Sequence, residues 1–350
     1  MIWKNEEILA EDRLYLTGRR IEASDPLRLF WVGSGIHMTA KVGELFAVIE
    51  ADWSGHTPWM SVALDGVQVA RFALQRGTHR YALLTGMGSE AVHRVSLTRD
   101  TQPMEGDQKL LVRLHELELD GELLPQEPRM TIEFIGDSLT SGEGLVGPQN
   151  ASEWRTVFMS GAKNYAAQVC ALLDADGEWI SQSGWGIATD WTGDPRHVLP
   201  GIYDRVCALQ PVGDQPYAFD AHPVAAVVVN LGTNDMSALN SLTPDERPAH
   251  ERRIAACVRD FLIHLRQVRP GAPILWVCGM CGDGLNALLE RAVADTARAL
   301  QDGLMAFLPL PACTAEETGS LSHPGEASHR RCAALIAPAL KDLIEKAGVL

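Results

Sequence analysis

The 350-residue sequence has no apolar run long enough to cross a bilayer, so no helical membrane span is expected within it. Basic residues are scarce: 30 Lys and Arg stand against 45 Asp and Glu, for a net charge of −15. Such a surface repels phosphate backbones and anionic lipids, so neither a nucleic-acid nor a membrane partner is expected. Neutral substrates fit better than polyanions. The opening residues, Met1-Ile2-Trp3-Lys4-Asn5-Glu6-Glu7, lack a basic stretch followed by an apolar one, so no signal peptide is visible and a cytoplasmic location is expected. The seven cysteines are odd in number and scattered, which reads as reduced core thiols rather than a disulfide framework. Cys278-Gly-Met-Cys281 has no second Cys or His pair, and His37, His56, His79 and His93 have no ligand spacing, so no metal site and no cofactor is expected.

What is present falls into two halves. The length exceeds one ordinary hydrophobic core, so two domains are expected. Residues 1–125 read as short strands: Leu45 to Ile49, Arg80 to Leu84, His93 to Thr98 and Leu110 to Leu119. Val62-Ala-Leu64 and Val67-Gln-Val69 flank Asp65-Gly66, a hairpin signal because a tight I′ turn needs two residues at positive φ. Helical periodicity is nearly absent, and a β-sandwich is predicted. Pro125 and Pro128 mark a linker. Over 129–350 the pattern alternates. Buried-strand runs lie at Met130 to Ile135, Ala225 to Leu231, Pro273 to Cys278 and Leu304 to Leu308. Helical spacing appears in Ala166, Val169, Cys170 and Leu173, again in Ile254 through Leu265, and in a last helix from about Glu326 to Lys346. The expected class is α/β, a parallel sheet with helices on both faces and ligands at the carboxyl ends of its strands.

Three motifs fall at such ends or in loops. Ser138 follows the first run, in Ile135-Gly136-Asp137-Ser138. Asn234 follows the second, in Gly232-Thr233-Asn234-Asp235, and His323 lies in Ser322-His323-Pro324. A serine hydroxyl needs a base to take its proton, and a neutral imidazole serves near pH 7. The oxyanion then needs N–H donors: the Ser138 backbone, the Asn234 amide, and a bare glycine N–H in Ser183-Gly184-Trp185-Gly186. Each residue also has an ordinary reading. Asp137-Ser138 is good helix-capping chemistry, Asn234 and Asp235 suit a turn, and His323-Pro324 suits the residues before a helix. Trp185 and Trp191 lie in the loop that carries Gly184, and such an indole either stacks on a substrate ring, walls off the acyl pocket or packs at a domain interface.

These blocks resemble the SGNH (GDSL) hydrolases, and more closely the two-domain carbohydrate esterases of family 2. The markers are Ile132 to Ser138, Ser183 to Ile187, Tyr203-Asp204-Arg205, Asn230 to Asp235, and His323-Pro324 with His329. Trp31-Val32-Gly33-Ser34-Gly35 in the β-rich half resembles that family's jelly roll. The resemblance implies a flavodoxin-like sheet and deacetylation of sugars, as in acetyl xylan esterases. It implies Ser138 as nucleophile, His323 as base, and Ser138 N–H, Gly184 N–H and Asn234 as oxyanion hole.

One position departs from the broader family. Where an aspartate would orient the histidine, three residues before it, this chain has Ser320. A Ser–His dyad is therefore expected, with a backbone carbonyl between Ala315 and Ser320 accepting from His323, and Glu316 or Glu317 as rivals. Two other readings stand beside the acetyl esterase. One is a thioesterase or short-chain aryl esterase on the same machinery, and the other a carbohydrate-binding protein without turnover.

Overall fold

Alternation of inward apolar and outward polar residues decides the first half of the chain. In the computed structural model, which describes residues 2–4, 13–21, 26–88, 91–125 and 129–348, eleven strands form there: β1 (Ile2–Lys4), β2 (Leu14–Thr17), β3 (Leu27–Arg28), β4 (Gly35–Lys41), β5 (Leu45–Asp52), β6 (Trp59–Leu64), β7 (Val67–Ala73), β8 (Gly77–Leu84), β9 (Val92–Arg99), β10 (Leu111–Leu119) and β11 (Glu122–Leu124). They pair antiparallel into two sheets, β1-β10-β5-β8 with β3 also on β10, and β11-β4-β9-β6-β7 with β2 on β4. The expected hairpin joins β6 to β7: Leu64 pairs with Val67, and Asp65 and Gly66 both have positive φ. In β5 every second residue is buried, and Leu45, Ala47 and Ile49 meet Ile36, Met38 and Ala40 of the other sheet in one apolar cluster. Each of the larger side chains, Leu45, Ile49, Ile36 and Met38, contributes about 2 kcal/mol on burial. Arg99 is wholly enclosed, yet it donates to the carbonyls of Thr101, Leu29 and Gln102. Burial alone pushes its pKa down to about 10.

The second half builds a five-stranded parallel sheet from β12 (Thr131–Gly136), β13 (Asp176–Ser181), β14 (Ala226–Asn230), β15 (Ile274–Cys278) and β16 (Met305–Pro309), in the order β13-β12-β14-β15-β16. Counted along the chain this is 2-1-3-4-5, the flavodoxin-like order, whose direction reverses between β12 and β14. Six helices accompany it: α1 (Ser138–Ser141), α2 (Tyr165–Leu172), α3 (Thr233–Asn240), α4 (Arg247–Val268), α5 (Asn286–Leu300) and α6 (Glu326–Lys346). Helix α2 packs on α6, and α4 on α5. Right-handed crossovers leftward to β13 and rightward to β16 put these pairs on opposite faces.

By internal contacts the chain forms two units, residues 1–129 with 155–157 and 205–216, and the remainder. Pro128, expected in a linker, lies outside the described residues. Strand β13 escapes sequence patterning because Asp176, Glu178 and Ser181 interrupt it, yet all six of its residues are buried. Glu133 on β12 is likewise buried and polar. Its carboxylate meets Arg269 at 3.1 Å and accepts the Tyr203 hydroxyl at 2.6 Å. Two of the family-like markers are thereby joined.

Candidate active site

Register delivers the site. Gly136 at the end of β12 pairs with Ser181 of β13 and Asn230 of β14, so the loops that follow all leave the same edge of the sheet. At the end of β12 the chain turns into α1, with Asp137 as N-cap accepting from Leu139 N at 3.0 Å. Ser138 is the first residue of that helix, and its N–H has no intrahelical acceptor to occupy it. Capping and nucleophile placement are thus one arrangement, with Asp137 as the cap. Asp137 is fully buried, and burial, helped by Asp235 and Glu143, pushes its pKa up to about 7.

Ser138 Oγ lies 3.0 Å from His323 Nε2. On the far side of the ring, Nδ1 lies 3.2 Å from the Leu321 carbonyl. The acceptor is therefore one residue beyond the stretch Ala315 to Ser320 that sequence reasoning named. Leu321 and Ser322 both adopt left-handed φ, 57° and 58°, and this twist turns the Leu321 carbonyl back to the imidazole. Neither glutamate rival reaches His323: Glu317 pairs with Arg331 and caps Thr314, and Glu316 is solvent-facing. The two loops are locked by contact between backbones. Ser320 N donates to Gly144 O at 2.9 Å, and a Cβ at Gly144 would overlap the Ser320 carbonyl and crowd His323 Cβ.

The oxyanion candidates converge less completely. Gly184, at φ +81°, has an N–H with no acceptor among the described residues. Its carbonyl accepts from Trp191 N at 3.0 Å. Asn234 Nδ2 donates to Trp185 O at 2.8 Å and, at a long 3.3 Å, to Asp137 Oδ2. Its amide is held beside the nucleophile turn with both hydrogens directed at protein acceptors. Asp235 supports the same loop: its two oxygens accept the N–H groups of Ile187, Ala188 and Thr189 at 2.7–3.0 Å, and burial raises its pKa.

The tryptophans separate. Trp185 is buried and stacks on His197, so its indole packs within the loop, whereas Trp191 is 61% exposed. His329, in α6, is fully buried and accepts from Tyr165 N at 2.9 Å. Burial first, and then the charge of His323, pushes its pKa down to about 3. The seven cysteines are free, and burial pushes Cys278 up to about 12.

Sequence reasoning missed two features. Asp190, Asp194 and His197 bring ligand-type atoms within 4.8 Å of one another. Those atoms are already engaged: Asp190 accepts from Thr192 and Asp194 N–H groups and from His197 Nδ1 at 2.9 Å, and Arg196 forks onto Asp194. The cluster ties the loop beneath Trp185 rather than offering open cation positions. The second omission is Glu143, buried beside His323. Glu143 lies just beyond the nucleophile motif, and nothing in its sequence neighbours marks it.

A serine hydroxyl, an imidazole held by a backbone carbonyl and a glycine N–H with no acceptor among the described residues thus meet at a flavodoxin-like switch point. The pattern of the GDSL-like Lipase/Acylhydrolase family matches residues 134–331, more than half of the chain. The chain belongs to that family. It is 31% identical to the structure of an acetyl xylan esterase (Est2A) from the rumen bacterium Butyrivibrio proteoclasticus, with a TM-score of 0.92 and 98% of each chain covered. A family two carbohydrate esterase from Clostridium thermocellum, in complex with cellohexaose, shares the fold at 23% identity and a TM-score of 0.82, covering 96% of this chain and 100% of that one. The acylhydrolase is also 26% identical over 342 residues to the cellulase/esterase CelE of Acetivibrio thermocellus. That similarity covers 92% of this chain and 39% of the relative. With the acetylxylan esterase / glucomannan deacetylase of Cellvibrio japonicus the identity is 26%, over 60% of this chain and 58% of the relative. The chain thus spans less than two thirds of either relative. Among the described residues, no helix of the acylhydrolase is long and apolar enough to cross a membrane.

Proposed function

We propose that this acylhydrolase is a serine esterase that removes short acyl groups, chiefly O-acetyl, from carbohydrates by way of an acyl-enzyme. The reading is carried by the 3.0 Å contact from Ser138 Oγ to His323 Nε2, with Nδ1 held by the Leu321 carbonyl. A donor–acceptor pair at that distance passes the hydroxyl proton to Nε2 as Oγ bonds to the ester carbon. The carbonyl oxygen, now negative, is met by the N–H groups of Ser138 and Gly184 and by the Asn234 amide. For the last of these, the 3.3 Å contact to Asp137 is the one the oxyanion displaces, while the 2.8 Å contact to Trp185 O keeps the amide in place. Nε2–H then protonates the departing sugar oxygen, and water repeats the sequence to release the acid. No step calls for a metal or cofactor.

Carbohydrate as the alcohol is supported by the likeness to carbohydrate esterases and by Trp191, an exposed indole beside Gly184 on which a sugar ring stacks. The domain assignment is part of the same proposal: a jelly-roll β-sandwich over about 1–125 and the SGNH hydrolase domain over about 129–350.

The test is hydrolysis of 4-nitrophenyl acetate and peracetylated xylose by the wild-type chain and by Ser138→Ala. Turnover of both by the former and of neither by the latter is expected. Persistent activity in Ser138→Ala would remove the nucleophile assignment. Binding of glycans with no turnover in the wild type would favour the binding-protein reading, and an acyl-length series separates acetyl from longer-chain or thioester specificity.

A further inference from the structure

Glu143 comes five residues after the nucleophile, where the chain leaves α1 through Gly142 at φ 74°. Its N–H donates to the Ser138 carbonyl at 2.9 Å. That turn sets its side chain against the imidazole on the side where the proton moves. Glu143 Oε1 lies 3.6 Å from His323 Nε2, the same nitrogen that Ser138 Oγ approaches to 3.0 Å. Glu143 is only 7% exposed, and among the described residues no N–H or O–H group donates to its carboxylate. A largely buried carboxylate whose oxygens meet only a little solvent and no protein donor is best compensated by a positive charge beside it. The positive charge this site generates is the imidazolium.

The other charged groups around His323 are spoken for. On the nucleophile turn, Asp137 caps α1; from α3, Asp235 holds the 187–189 loop. In the base loop, Glu317 pairs with Arg331 of α6, and Glu316 faces solvent. On α6, Glu326 pairs with Lys163 and Arg330, and His329 accepts the Tyr165 N–H and so stays neutral. Glu143 is the one carboxylate within ion-pair distance of the imidazole among the described residues.

We propose that Glu143 is the positioning residue of His323, supplying from the Nε2 side the negative charge that an aspartate on the Nδ1 side supplies in a full triad. The proposal rests on the Ser138–His323 reading above. When Ser138 Oγ–H breaks, the proton goes to Nε2, the Oγ electron pair forms the bond to the acyl carbon, and the carbonyl π pair moves to oxygen. Glu143 gains and loses no proton in this step; it faces the cation that results. At 3.6 Å the contact is too long to be a hydrogen bond. The Nε2 proton therefore remains free to go to the departing oxygen while the two charges attract.

The test compares Glu143→Gln with the wild-type chain, reading kcat and KM for 4-nitrophenyl acetate from pH 5 to 9. A carboxylate beside an imidazole favours the protonated ring. Its removal is expected to move the acid limb of the kcat/KM profile to lower pH and to lower kcat roughly tenfold, with KM little changed. An acid limb that stays in place overturns the proposal, whether or not activity falls, because loss of packing alone does not move it. If Glu143→Gln does not fold, Glu143→Asp retracts the charge by one methylene, and a partial shift of the limb is expected; none would be evidence against. Ser138→Ala run in parallel separates the two readings. Turnover in that variant brings down the serine mechanism itself, whereas its inactivity together with an unmoved Glu143→Gln limb brings down only the role given to Glu143.

Discussion

In the proposed mechanism a single carbonyl orients the base where the broader family uses a carboxylate. The Leu321 oxygen that holds His323 Nδ1 belongs to the backbone, so what matters at position 321 is the left-handed φ of 57° and not the leucine side chain. Leu321→Gly should keep kcat within about threefold of wild type, since glycine adopts this conformation without the ~1 kcal/mol penalty of a Cβ. A loss of a hundredfold would show that the side chain, not the carbonyl, positions the base. Glu316→Gln and Glu317→Gln should likewise leave kcat nearly unchanged, because neither carboxylate approaches the imidazole. Asn234→Ala should lower kcat by about 10²–10³, the usual effect of removing one oxyanion donor. A change under fivefold would mean that the amide serves only the Trp185 and Asp137 contacts seen here.

Among the elements, the decisive one is not regular structure but the loop from Gly184 to His197. It is held at both ends by carboxylates: Asp235, at the start of α3, takes three of its N–H groups, and Asp190 takes Thr192, Asp194 and His197. Asp235→Ala leaves three buried donors without acceptors and should cost about 3 kcal/mol or more of stability, with activity falling further as Gly184 loses its place. Melting temperature and kcat measured together check this. An active variant of unchanged stability would refute it. The loop also shows where reading from sequence stops. Gly184 is legible as a bare N–H, but Asp235 reaching 48 residues back to Ile187 is a tertiary fact. Strand β13 is a similar case. Its acids are hidden in the fold by partners such as the Tyr217 hydroxyl, 3.2 Å from Glu178, which no local pattern announces.

For the molecule as a whole, two buried groups in the catalytic unit pull stability in opposite directions with pH. Asp137 has a folded pKa of about 7 against an ordinary 3.8. The folded state therefore binds its proton more tightly, and the resulting stability is lost as pH rises from about 4 to 7. His329 has a folded pKa of about 3 against 6.5. There the unfolded state takes up the proton, so stability is lost as pH falls from about 6.5 to 3. In the shared window the two offset each other. Replacing His329 by Gln removes one side of that balance, and the variant should become less stable as pH rises from 4 to 7. Urea unfolding across that range tests it: a variant whose stability follows the same pH course as wild type would contradict the assignment.

Alternation in the first half, strand–helix succession in the second, the Asp65-Gly66 turn, and the ordered blocks around Ser138, Asn234 and His323 were all legible in the sequence. Each depends on periodicity or on backbone preferences that neighbouring residues express locally. The flavodoxin-like strand order was implied by the family resemblance, whereas the 3.0 Å between residues 185 positions apart, the choice of Leu321 as acceptor, the inward burial of Trp185, and the approach of Glu143 to the imidazole were decided only by the tertiary structure. They arise where separate loops are brought to one edge of a sheet by strand register, and register is a property of pairs of strands that no single segment carries.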